Sequence, residues 1–244
     1  MNLCCVGPAL QRDLFLNSHI FTCLSFAAER NRMNKKTLPT KYFAVAAVIT
    51  ALTGVYLITT SFIIGRNNFF LLLNTDIGSA ADTFFAFWTW LGDGLIWIPV
   101  AVLFFLYRKD KIPLLAAAII ISTLIVQLTK SYLFPDTPRP TLAIENTNAI
   151  HLVPGVEVHT AFSFPSGHTT TAFTLFLLIC LVTKKKWVIP FAFLYALLVG
   201  YSRIYLAQHF PLDVGAGMLA AVITVLLSIP IQEAISKSRR RNIE

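Results

Sequence analysis

Charge is scarce in this chain. Only 13% of its 244 residues are charged, while 56% are hydrophobic and the mean hydropathy is +0.67. A soluble domain carries about one-quarter charged residues. The composition therefore excludes an ordinary water-soluble domain and points to an integral membrane protein. Cysteine is scarce as well. Cys4, Cys5, Cys23 and Cys180 follow no metal-ligand spacing, so neither a structural disulfide nor a cysteine-held metal is expected. No Asn-x-Ser/Thr acceptor occurs, which speaks for a bacterial rather than a secretory-pathway protein. Internal repeats and low-complexity tracts are absent too.

What is present is a series of long apolar runs. About 20 apolar residues cross a hydrocarbon core as a helix. Six segments fit: 42–64, 83–107, 112–134, 169–183, 187–207 and 212–231. The expected fold is all-α, a polytopic membrane bundle of six transmembrane helices within residues 34–244, preceded by an N-terminal tail at 1–33. Residues 1–32 lack a basic start before a long apolar core and make a poor signal peptide. Met33-Asn34-Lys35-Lys36 reads as the beginning of a cytoplasmic tail. Met33 is thus an alternative start, against the reading of a short disordered tail.

Lys and Arg set the orientation. Arg30, Arg32, Lys35, Lys36 and Lys41 precede the first run; Arg108, Lys109 and Lys111 follow the second; Lys184 to Lys186 follow the fourth; Lys237 and Arg239 to Arg241 follow the sixth. Both termini and these loops are expected in the cytoplasm. The opposite face, periplasmic in a bacterial inner membrane, keeps Arg66, Lys130, Arg139 and Arg203. The lysine run at 184–186 is a topology signal, and no nucleic-acid partner is expected. Nothing in the sequence marks an oligomeric state.

Polar clusters gather on that outer face. Lys130 ends the third run, and Arg139-Pro140 follows in a long connection. Pro165-Ser166-Gly167-His168 opens the fourth run, and Ser202-Arg203, His209 and Asp213 span the turn between the fifth and sixth. Lys130, Arg139 and Arg203 supply cations, and guanidinium forks match phosphate oxygens. Ser166 and Gly167 open a helix whose N-terminus presents unpaired N–H groups to an anion. Without a Cβ, Gly167 lets a ligand approach the backbone closely. His209 precedes Pro211, a residue favoured at a helix start, so Asp213 falls in the first turn and can reach back to one ring nitrogen. That leaves the other nitrogen as a nucleophile, with His168 placed to protonate the leaving alkoxide. No carboxylate cluster stands with these residues to hold magnesium, and no cofactor or metal is expected.

These residues resemble the motifs of the type 2 phosphatidic acid phosphatase superfamily, which includes glucose-6-phosphatase and vanadium haloperoxidases. Its pattern is Lys-x6-Arg-Pro, Pro-Ser-Gly-His and Ser-Arg-x5-His-x3-Asp. The second motif is literal at Pro165 to His168, and the third at Ser202, Arg203, His209 and Asp213. The first departs: eight residues separate Lys130 from Arg139, and a bulge at 135–138 would restore the register. The resemblance implies a membrane lipid phosphatase that forms a phosphohistidine on His209. Its substrate would be undecaprenyl diphosphate, phosphatidylglycerophosphate, phosphatidic acid or lipid A. The rival reading is a membrane anion-binding protein or transporter without turnover. Ser202 and Asp93 keep more than one reading. Ser202 is a ligand or a packing residue. Asp93, inside the second run, is a functional acid, an acid near the lipid surface, or one paired with a polar neighbour. His151 and His159 match no motif and read as surface residues of the long loop.

Overall fold

A computed structural model describes residues 40–183 and 185–241. The expected tail at 1–33, the Met33 start and Cys4, Cys5 and Cys23 lie outside the described residues.

Among the described residues every regular element is helical, in agreement with the all-α expectation. We label the helices α1 (Thr40–Ile63), α2 (Arg66–Leu73), α3 (Ser79–Trp88), α4 (Trp97–Tyr107), α5 (Ile112–Leu128), α6 (Pro140–Ala143), α7 (Gly167–Val182), α8 (Val188–Tyr205) and α9 (Pro211–Arg241). Four helical stretches are long and apolar enough to cross a membrane: Lys41–Ile63, Lys109–Leu133, Val188–Tyr205 and Pro211–Arg239. The pair Ser79–Gly92 and Gly94–Tyr107 makes a fifth if its halves form one span. The shorter Gly167–Val182 is apolar too.

The second run departs from the continuous helix expected over 83–107. Its halves meet at Asp93 with a bend of 58°. The cause is local. Glycine is a poor helix former, and Leu91-Gly92-Asp93-Gly94 carries two of them. Asp93 is extended (φ −66°, ψ 156°), and its carboxylate accepts the Leu95 N–H at 2.8 Å, which restarts the helix. The carbonyl freed at Leu91 accepts the Tyr195 hydroxyl at 2.6 Å. A break in an apolar span needs such a partner, because lipid supplies none.

Helix α7 forms the core. Nearly every residue from Thr169 to Leu181 is buried, on all sides of the helix. A helix that is apolar all round is a buried one. It packs against α1, α5, α8 and α9, and α9 in turn packs on α1 and α5. This central position puts the N-terminus of α7 next to the turn between α8 and α9, the frame on which the polar residues meet.

The long connection after α5 is anchored by side chains. The Asn74 amide donates to the carbonyls of Ile204, Tyr205 and His151 and accepts the His151 N–H. His151, expected at the surface, is instead half-buried; its Nε2 lies 2.9 Å from Asp82 Oδ1, which also accepts the Tyr205 hydroxyl. The apolar ring of Tyr205, 4.9 Å away, draws the imidazole inward. His159 is exposed, as expected.

Candidate active site

Ser166 caps α7. Its hydroxyl oxygen accepts the Thr169 N–H at 3.4 Å and the Thr169 hydroxyl at 2.8 Å, while Thr170 donates its hydroxyl to the Ser166 carbonyl. The run of threonines thus braces the cap. With both contacts accepted, the Ser166 proton remains available to donate to a ligand. The N–H groups of Gly167 and His168 are the orphan donors of the first turn. A Cβ at Gly167 would meet only Val126, at 3.6 Å, so packing gives no reason for glycine there. Helix α9 reaches the cap from behind through Gly217, where a Cβ would fall 2.7 Å from the Ser166 carbonyl oxygen.

The third motif lies against this cap. The Ser166 N–H donates to the Asp213 carbonyl at 3.0 Å. Asp213 sits in the first turn of α9 and accepts the Phe210 N–H at 2.9 Å, as an acid at that position does in a capping box. The same carboxylate oxygen accepts the Ser163 hydroxyl at 2.5 Å. It lies 3.4 Å from His209 Nδ1, yet the ring is not turned to direct a hydrogen bond along that line, and Nδ1 and Asp213 Oδ1 both stay without partners. The pair is adjacent but not locked. His209 is 1% exposed. Burial, reinforced by Arg139, Arg203 and Lys130, pushes its imidazole well below the ordinary range. The ring is therefore neutral near pH 7, as a nucleophile must be.

The cations are held by backbone and neutral groups. Arg139 donates through Nε to the Ala161 carbonyl at 2.9 Å and through Nη1 to the carbonyl and side-chain oxygens of Gln208, both at 3.0 Å. The Gln208 and His209 N–H groups both bond the Arg203 carbonyl. Arg203 donates to Thr89 Oγ1 at 2.5 Å, and its Nε is buried with no partner. Such an orphan donor on a buried guanidinium is costly unless a ligand fills it. No direct ion pair neutralises Arg139 or Arg203 among the described residues, so their charge is open to an anion. Lys130 is half-buried within electrostatic reach of Arg139, Arg203 and Asp213. Lys130 lies in a π-helical turn at Thr129–Leu133, and a bend and turns follow it before Arg139, so the irregular backbone begins before the expected 135–138 bulge. Ser202 hydrogen-bonds the Val199 carbonyl at 2.7 Å, which is the packing alternative. His168, at the mouth of α7, is half-buried, with Nε2 3.7 Å from Asp93.

A model of the PAP2 superfamily matches residues 112–237, which contain all of these motifs. The chain belongs to the PAP2 superfamily. It is 29% identical to the undecaprenyl-diphosphatase of Sulfolobus acidocaldarius over 168 residues, covering 67% of this chain and 76% of that one. It is 31% identical to the lipid A 4'-phosphatase of Porphyromonas gingivalis, covering 65% of this chain and 69% of that one. The crystal structure of Aquifex aeolicus LpxE superposes with a TM-score of 0.58 at 34% identity, covering 66% of this chain and 92% of that one.

Sequence reasoning missed several residues of this PAP2 site. Ser163, Thr89 and Gln208 hold Asp213, Arg203 and Arg139, and none belongs to a motif. Among the described residues, Asp76, Asp82 and His151 bring ligand atoms within 4.8 Å of one another. None of the phosphate-binding candidates is in that group, and His151 and Tyr205 already engage Asp82.

Proposed function

We propose that this PAP2 phosphatase hydrolyses a phosphate monoester or diphosphate of a membrane lipid at the outer face of the bilayer. Undecaprenyl diphosphate, phosphatidylglycerophosphate, phosphatidic acid and lipid A are the candidate substrates. Lys130, Arg139, Arg203, the Ser166 hydroxyl and the Gly167 and His168 N–H groups hold the phosphate. His209 attacks phosphorus through Nε2, since Nδ1 faces Asp213. The P–O bond to the leaving group, an ester in a monoester and an anhydride in a diphosphate, breaks, and its electron pair leaves on an oxygen that takes a proton from His168. Water then attacks the phosphohistidine, giving its proton to His168 as the P–N bond breaks, and phosphate and neutral His209 are restored. Cations aimed at the transferring phosphoryl group stabilise the charge that spreads over its oxygens.

The observation that carries this reading is the hydrogen-bonded chain from Arg139 through Gln208 to Arg203, and from Ser166 through Asp213 to Ser163. It joins sequence-distant motifs around the orphan Arg203 Nε and the His209 ring. Simple anion binding has no need of a neutral histidine buried beside a carboxylate at the anion site. The test is phosphate release from each candidate lipid by the purified protein. Release from none would favour the anion-binding rival. Activity is expected to survive EDTA and to be inhibited by vanadate, which mimics a five-coordinate transition state. Arg203→Ala is expected to lose vanadate inhibition. Activity abolished by EDTA and restored by magnesium would overturn the metal-free mechanism.

A further inference from the structure

The phosphatase mechanism uses His168 as an acid, yet no hydrogen bond fixes its ring among the described residues. The break between α3 and α4 supplies what is missing. Asp93 sits in that break with one oxygen, Oδ1, committed to the Leu95 N–H. The other, Oδ2, lies 3.7 Å from His168 Nε2, and no other carboxylate comes within 4 Å of that ring among the described residues. Both side chains are about 30% exposed, and both line a cavity of about 420 Å³ with Trp97, Gln127 and Thr171.

The placement of the break is specified from several sides. A Cβ at Gly92 would fall 2.4 Å from Val199 Cγ1, 3.1 Å from the His168 carbonyl oxygen and 3.2 Å from His168 Cβ. Only glycine allows the break to pack this closely on the histidine. Thr89, at the start of the same turn, takes the Arg203 guanidinium, and Leu91 takes the Tyr195 hydroxyl. The segment carrying Asp93 is thus pinned between the phosphate-binding arginine and the acid.

We propose that Asp93 is a positioning residue that orients the His168 imidazole and supports its proton, leaving Nδ1 to face the leaving oxygen. The proposal rests on the phosphatase reading above. A separation of 3.7 Å is an ion-pair distance, and such contacts commonly tighten when substrate closes the site. A break in an apolar span is where a carboxylate can stand without a lipid-facing charge.

The test is Asp93→Asn. Asparagine keeps an oxygen for the Leu95 N–H and loses the charge. The readout is kcat/KM on phosphatidic acid in detergent micelles, whose leaving group is an alkoxide, and on p-nitrophenyl phosphate, whose leaving group needs little protonation. Asp93→Asn is expected to lose about tenfold on phosphatidic acid through kcat, a fraction of the ~10²–10⁴ that a positioned acid contributes. It should stay within about twofold of wild type on p-nitrophenyl phosphate and keep its vanadate inhibition. Asp93→Glu, which restores the charge, is expected to recover most of the loss. Equal losses on both substrates, a loss confined to KM, or a glutamate variant as impaired as asparagine would overturn the proposal. Wild-type protein inert toward p-nitrophenyl phosphate and toward all four candidate lipids would instead overturn the phosphatase reading, and this inference with it.

Discussion

His209 and Asp213 stand 3.4 Å apart without a hydrogen bond, because the Asp213 oxygen nearest the ring is already taken by Ser163 and the Phe210 N–H. Ser163 thus fixes the carboxylate that in turn stands beside His209, the proposed nucleophile. Ser163→Ala is expected to cost about 1–3 kcal/mol of stability by leaving a buried carboxylate under-satisfied. Its turnover should fall about tenfold, less than a change of the orienting acid itself. A melting curve and a phosphate-release assay check both. The pH profile follows from His209. The folded ring stays neutral well below the ordinary imidazole value, because it is buried among cations. As the proposed nucleophile, His209 would therefore be competent to lower pH than a free imidazole, and the acid limb of kcat/KM is expected below about pH 6.5. Stability runs the opposite way. Below about pH 6.5 the unfolded chain binds a proton that folded His209 refuses, so the protein should lose stability as pH falls. An acid limb at or above 6.5 would mean that His209 is not buried as described. His209, Arg203 and Asp213 were legible because their spacing is a motif. Ser163, Thr89 and Gln208 were not, because each acts on a partner 50, 114 or 69 residues away that only the folded chain brings near.

At the scale of elements, the start of α7 was legible to within a residue or so of Ser166, although the apolar run itself begins at 169. Ser166 is a cap-forming type followed by an apolar run, and local chemistry decides such a boundary. The break in the second run was less so. Its aromatic and aliphatic residues read as one span, while the bend depends on Tyr195 and Arg203 supporting the turn from another helix. The π-helical turn at Thr129–Leu133 was not visible either, although the overlong first motif marked where slack had to go. The cradle depends on an approach that the sequence hides. Helix α9 touches the back of the Ser166 cap at Gly217. Gly217→Val is expected to push α9 from the cap, since the added Cβ meets a backbone oxygen that cannot swing aside. Overpacking of this kind costs about 1–3 kcal/mol. Vanadate inhibition should weaken together with turnover in this variant, whereas loss of turnover with unchanged vanadate inhibition would show that the cap had not moved.

For the whole molecule, the distribution of charge and the contacts between helix ends tell the same story. The Arg108 guanidinium donates to the Val182 carbonyl at the end of α7. Gln232 in α9 bonds the Leu114 N–H and the Asp110 carbonyl. The lysine- and arginine-rich segments after α4, after α7 and at the end of α9 therefore share one face. Lys130, Arg139, Ser166 and the α8–α9 turn gather at the other ends of the same helices. The positive-inside rule assigns the first face to the cytoplasm. A chain with both ends there needs an even number of crossings. The described spans reach six only if the bent pair and α7 each count as one. At 16 residues α7 is about 24 Å long, short of the ~30 Å hydrocarbon core. Its neighbours surround it on every side, so it need not meet lipid along its length. We therefore expect Ala149 outside and Ser236 inside. Single cysteines introduced at these positions, treated with an impermeant thiol reagent in intact cells, should label at 149 and not at 236. Cys180 is buried and should stay silent. Labelling at 236 but not 149 would invert the orientation and put the phosphate site in the cytoplasm, while labelling at both would leave an even number of crossings between 149 and 236 and exclude α7 as a span.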